Sequence, residues 1–120
     1  MEVYTYQIGK VPDMGNSSIV QYDVTVMSGD KTFAPTWHLL SAYKAGTITA
    51  EQYTTTFINI MRERYLDAPH EFATLAEHEC IAFGCYCKPK DFCHRHLLVD
   101  IFSDYCHNKG IDFHYSGELT

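Results

Sequence analysis

The chain has 120 residues, 46% of them hydrophobic, 14% aromatic and 20% charged, which is enough apolar material for one core and too much for a disordered or collagen-like chain. Nine basic residues against fifteen acidic ones leave a net charge of −6, which repels a phosphate backbone and argues against general DNA or RNA binding. No apolar run approaches the roughly 18 residues of a membrane span, and MEVYTYQIGK has neither the basic head nor the apolar body of an export signal. The expectation is one soluble cytoplasmic domain over residues 1–120, with no membrane partner.

In chain order, Glu2 to Gly9 carries Val3, Tyr4, Thr5, Tyr6 and Ile8 and predicts a first strand. A connection rich in turn residues, Val11 to Ser18, follows. Ile19 to Met27 is again β-branched and aromatic, which predicts a second strand stopped by Ser28-Gly29-Asp30-Lys31; two strands this close suggest a hairpin. From Pro35 the period becomes helical, with Trp37, Leu39, Leu40 and Tyr43 on one face, proline in the first turn and Gly46 beyond the end. Thr49 and Gln52 have capping-box spacing before a long helix, about Ala50 to Leu66, whose inner face is Tyr53, Phe57, Ile60, Met61 and Tyr65. Asp67 and Pro69 open a shorter helix with Phe72, Leu75 and Ala76 inward.

Cys80 to Cys87, CIAFGCYC, is apolar without alternation and predicts a strand covered on both faces. A fourth helix follows with Asp91 as candidate N-cap, a stripe of Leu97, Leu98, Ile101, Phe102 and Tyr105, and a stop at Asn108 to Gly110. Ile111 to Tyr115 predicts a last strand, with Ser116 to Thr120 frayed. This order describes a compact single-domain α/β fold of about four strands and four helices, built around a central parallel strand-helix-strand unit.

The five cysteines are Cys80, Cys85, Cys87, Cys93 and Cys106, three of them within nine residues. In a chain without an export signal such clustering points to metal binding, thiol chemistry or burial, not to disulfides. Cys80 and Cys106 read as core residues. The informative segment is CYCKPKDFCHRH over 85–96, which spans a strand end, a loop and a helix N-terminus, the place where open α/β sheets receive anions. Lys88, Lys90 and Arg95 add positive charge there, and Arg95 has the fork that grips phosphate or carboxylate; a solvated lysine is the blander account.

On a helical wheel His94 points at the sheet, Arg95 and Cys93 to either side, and His96 away. Cys87 and Cys93 sit where cations and a helix N-terminus lower a thiol pKa, and Cys87 with His94 has the makings of a nucleophile and its base. No cofactor is expected, although Cys85, Cys87, Cys93 and His94 make a stereochemically allowed zinc set whose spacing matches none of the familiar zinc patterns. A second segment, SGDKTFAPTW over 28–37, leaves a strand and enters a helix. Its Ser28, Lys31 and Thr36 are candidate ligand contacts, and Phe33 or Trp37 would stack on a planar ligand; Trp37 also reads as an ordinary core residue.

The run GCYCKPKDFCHRHLLVDIF, with YTYQIG, SGDKTFAPTW and the helix ending in MRERY, resembles the YeaO-like family, domain of unknown function 488, and within it the short members found in bacteriophages and prophages. By that resemblance Cys87, Cys93, His94 and Arg95 carry over as site positions, and Ala34-Pro35 is similar to the family's helix-opening motif. It implies a compact α/β fold but no particular reaction. Cys85 and His96 depart from the family pattern toward a metal site.

The leading functional expectation is binding of a phosphate-bearing nucleotide or similar anion at the strand-end pocket, Lys88, Cys93 and Arg95 included. A phage setting would make this sequestration or alteration of a host nucleotide signal. The alternatives are a thiol-dependent transferase or hydrolase using Cys87 and His94, and a protein-binding module that is purely structural or held by zinc. Homo-oligomerisation is left open, since small domains often dimerise but no apolar stripe demands it.

Overall fold

A computed structural model describes every residue except Asp13 and Asn16; the loop expected over 11–18 contains both and to that extent lies outside the described residues. The strands are β1 (Glu2–Gln7), β2 (Val20–Asp23), β3 (Cys80–Cys85) and β4 (His114–Leu119), and the helices are α1 (Trp37–Lys44), α2 (Ala50–Asp67), α3 (Pro69–Ala76) and α4 (His94–Lys109). One four-stranded sheet has the order β2-β3-β1-β4, and each neighbouring pair is parallel. The expected α/β class is the observed one, with four strands and four helices among the described residues.

The hairpin is not. β2 runs parallel to β1 and lies beyond β3. The connection over 8–19 is about the dozen residues a parallel return requires, so sequence proximity did not dictate pairing. The second strand also stops at Asp23, four residues early. There Asp23 turns the chain, its Oδ1 accepting from Thr25 N at 2.8 Å and its carbonyl from Asp30 N at 3.0 Å.

β1 and β3 fill the middle of the sheet. Ile81 to Cys85 are all buried, which explains why that strand reads as an unbroken apolar run. Phe102 of α4 lies 5.6, 5.8 and 5.8 Å from the rings of Phe33, Phe72 and Phe83, joining helices and sheet into one core. α2 begins on the predicted capping box, with Gln52 N donating to Thr49 Oγ1 at 3.1 Å and Thr49 N to Gln52 Oε1 at 2.8 Å. Pro35 falls before the α1 cap, which is Thr36.

Four further differences bear on the predicted site. β3 ends at Cys85, so Cys87 lies on the following turn. The N-cap position of α4 is Cys93, without a side-chain cap hydrogen bond, and not Asp91, which lies in the preceding turn, where its N donates to Lys88 O at 3.0 Å. The C-terminal residues expected to fray form most of β4 and pair with β1, Gly117 to Leu119 against Tyr4 to Tyr6. Trp37, expected in the core, is 55% exposed.

Candidate functional site

The site forms where β3 gives way to α4, since β3 delivers Cys85 and α4 delivers Cys93 and His94 at its head. Cys85, Cys93 and His94 are all buried, and one donor atom from each lies within 4.8 Å of the others. Cys87 Sγ, on the intervening turn, is 3.9 Å from Cys85 Sγ, and Cys93 Sγ is 3.7 Å from His94 Nδ1. The other imidazole nitrogen, Nε2, is 2.6 Å from the carbonyl of Val24. A carbonyl only accepts, so Nε2 carries a proton, and Nδ1 is the nitrogen left facing the sulfurs. Val24 is itself fixed by donating to Gly84 O at 3.1 Å.

These contacts make the thiols unequal. Hydrogen bonds from Cys87 and then Cys93 stabilise the Cys85 thiolate, outweigh its burial and push its pKa well down. With that charge in place Cys87 is pushed up, chiefly by its bond to Cys85, and Cys93 is pushed up by Cys85 and Cys87. The cluster therefore parts readily with its first proton and holds the next ones.

Cys87, Cys93 and His94 open onto a cavity of about 270 Å³, whose other walls include Tyr43, Tyr53 and Phe92. Cys87 is half-buried, whereas Cys93 is 4% exposed. The expected direct pairing of Cys87 with His94 is not what the geometry offers, because Cys87 stands outside the mutually close trio and meets it through the sulfurs of Cys85 and Cys93.

Arg95 is wholly buried, not flanking the helix as the wheel predicted. The buried face of α4 runs through His94, Arg95, Leu98, Val99, Phe102 and Cys106, turned by roughly 70° from the expected stripe at about 100° per residue. Leu97, Ile101 and Tyr105 border an open groove against α2 instead. Arg95 Nε and Nη2 donate to the two carboxylate oxygens of Glu118 at 3.4 and 3.0 Å, and Nη1 has no partner among the described residues. Glu118 also accepts from Thr5 Oγ1 at 2.5 Å and approaches His96 Nε2 at 3.4 Å. Burial alone would raise the Glu118 carboxyl, but the Thr5 bond and the bonds and charge of Arg95 outweigh it and hold it below the usual range.

The second predicted segment does not join this site. Ser28 Oγ donates to Asp23, Lys31 Nζ to the Val26 carbonyl, and Thr36 Oγ1 accepts from Leu39 N at 3.1 Å as the α1 cap. Phe33 is 1% exposed, edge-on to Phe72 at 5.0 Å, and is a core residue. None of the four lines the cavity among the described residues. Lys88 and Lys90 are exposed on the turn. Cys106 is buried as expected, while Cys80 is half-exposed and hydrogen-bonded to Glu2 at 3.3 Å. Sequence reasoning missed Glu118, assigned to a frayed tail; the signal available was Arg95 itself, which needs a carboxylate if buried.

Among the described residues no helix is long and apolar enough to cross a membrane. No curated protein and no solved structure matches the chain. A family model described as "Active DUF488-N3 subclade" matches residues 9–106. That span runs from the end of β1 almost to the end of α4 and contains every cysteine and histidine of the cluster, and with it the chain belongs to the YeaO-like DUF488 family.

Proposed function

We propose that the protein is a cysteine-dependent enzyme, a transferase or hydrolase, acting on a small anionic, nucleotide-like molecule in the cavity at the head of α4. The observation that carries this reading is the position of Cys87, half-buried on the cavity wall with its sulfur 3.9 Å from the readily ionised Cys85. The Cys85–Cys87 pair carries one negative charge; in the form with the remaining proton on Cys85, the Cys87 thiolate attacks the electrophilic centre of the substrate, and the sulfur–substrate bond forms as the leaving group departs with its electron pair. Water or an acceptor then releases the transferred group and restores the thiol. His94, anchored through Val24, orients the buried sulfurs.

The substrate class follows from size and charge. A cavity of about 270 Å³ is at the lower edge of drug-sized pockets, about 300 Å³ upward, and suits a nucleoside-sized or smaller molecule. Its aromatic walls favour a planar group; Lys44 is offset by Asp91 on the same wall, so it is the N-terminal dipole of α4 that favours an anionic one. In a phage-type chain, as the resemblance implies, that molecule would be a host nucleotide or nucleotide signal. The description "Active" attached to the matching subclade favours catalysis over a purely structural role. The same donors also suit a soft metal ion, so the thiols work either as free groups or around a metal.

Alkylation kinetics on chelator-treated protein test this reading. Because the cluster already carries one charge, alkylation of Cys87 is expected to stay nearly constant in rate between about pH 8 and pH 6, where an ordinary thiol of pKa near 8.5 slows about tenfold per unit, and a phosphorylated small molecule is expected to raise Tm in wild type. An ordinary pH dependence at Cys87, together with no stabilisation by any member of a nucleotide library, overturns it.

A further inference from the structure

We propose that the cluster is a zinc site, with the ion held tetrahedrally by Cys85 Sγ, Cys87 Sγ, Cys93 Sγ and His94 Nδ1. This deepens the thiol reading, and rests on it only where Cys87 is called a nucleophile; zinc binding stands on its own geometry. Zinc–sulfur bonds of about 2.3 Å and zinc–nitrogen bonds of about 2.0 Å place tetrahedral ligands about 3.8 Å apart for two sulfurs and about 3.5 Å apart for sulfur and nitrogen. The observed separations are 3.9 Å for Cys85 and Cys87 and 3.7 Å for Cys93 and His94. Two edges of a zinc tetrahedron are thus already spanned, and the Cys85, Cys93 and His94 donors lie within 4.8 Å of one another.

The histidine is prepared for the role. Its Nε2 proton is committed to Val24 O at 2.6 Å, which fixes the ring and presents the Nδ1 lone pair, the outer-shell arrangement that metal-binding histidines use. Three soft sulfurs and one imidazole select zinc or another thiophilic ion and reject calcium and magnesium, which require oxygen donors. A bound dication deprotonates the thiols that coordinate it, so all three sulfurs would bind as thiolates.

The ligands differ in mobility. Cys85 closes a central strand, and Cys93 and His94 begin a helix, all buried, whereas Cys87 is half-buried on a turn and faces the cavity. Cys87 is therefore the exchangeable ligand, and coordination keeps it a thiolate where a small molecule arrives.

The test uses the full chain, reduced and stripped of metal, titrated with Co²⁺ and then Zn²⁺. The expected result is about one Co²⁺ per chain, with the strong visible bands and near-ultraviolet sulfur-to-cobalt absorption of a tetrahedral thiolate site, bleached by an equal amount of Zn²⁺. Cys93→Ser and His94→Ala should weaken Co²⁺ binding by at least about tenfold, and Cys80→Ser should leave the spectrum unchanged. Cys87→Ser, a change on a turn that leaves three buried ligands in place, should retain binding with altered sulfur absorption, so the outcome does not depend on the folding of the buried variants. A pale octahedral spectrum, no uptake by wild type, or an unaltered spectrum in Cys87→Ser overturns the proposal. Zinc uptake with an unreactive Cys87 would keep the metal site and remove the enzyme reading; a reactive Cys87 in a protein that takes up no metal would do the reverse.

Discussion

Arg95 and Glu118 meet with Nη2 3.0 Å from Oε2, the arginine side chain fully buried and the carboxylate 16% exposed. The pair ties the first turn of α4 to the last strand, and so fixes the helix that carries Cys93 and His94. Glu118→Ala would leave a buried guanidinium without its counter-ion, a loss of about 3–5 kcal/mol. The expected outcome in denaturant titration is a lower midpoint with little change in slope. Replacing both partners with apolar residues of similar volume should recover most of that loss; a Glu118→Ala protein as stable as wild type would show that the pair contributes nothing.

The same carboxylate predicts an acid dependence. Glu118 has its pKa held below the usual range in the folded state, so its contribution is fully present above the unfolded value, about 4.3, and is lost as pH falls through the lower folded value. Glu118→Gln should therefore be less stable than wild type at neutral pH, with the gap narrowing in acid. A gap that stays constant between pH 7 and pH 3 would contradict this.

Cys85 and Cys87 share one negative charge in the proposed reaction. In metal-free protein, Cys85→Ser removes the partner in that sharing, so alkylation of Cys87 should take on the pH dependence of an ordinary thiol, slowing about tenfold per unit below its pKa, while Cys106→Ser on the far core face should leave the pH profile alone. Rates followed by mass spectrometry distinguish the outcomes; an unchanged Cys87 profile in Cys85→Ser would assign activation elsewhere.

Phe33 gives a contrast between ligand contact and core. Packed against Phe72, Phe102 and Tyr22, it should cost about 3–5 kcal/mol on truncation to alanine. The milder Phe33→Leu should lower Tm without altering Co²⁺ uptake or Cys87 alkylation. A selective loss of ligand response at unchanged stability would return Phe33 to the site.

Local chemistry made much of this protein legible in its sequence. The Thr49–Gln52 cap, the α3 face of Phe72 and Leu75, and the apolar run of β3 all follow from short-range periodicity and hydrogen bonding, which the chain carries in neighbouring residues. The cysteine cluster was legible as chemistry, because thiols and a histidine at a strand end and helix start are close in sequence as well as in space. What only the tertiary structure decided were the choices made between distant segments. The parallel place of β2 beyond β3 depends on which edge it finds. The turn of α4 toward Arg95 depends on a carboxylate 23 positions away, and the tautomer of His94 depends on a carbonyl 70 positions away. Periodicity reports which face of a segment is apolar; the partner that a buried charge or a ring nitrogen meets is set by packing, and that information is spread over the whole chain.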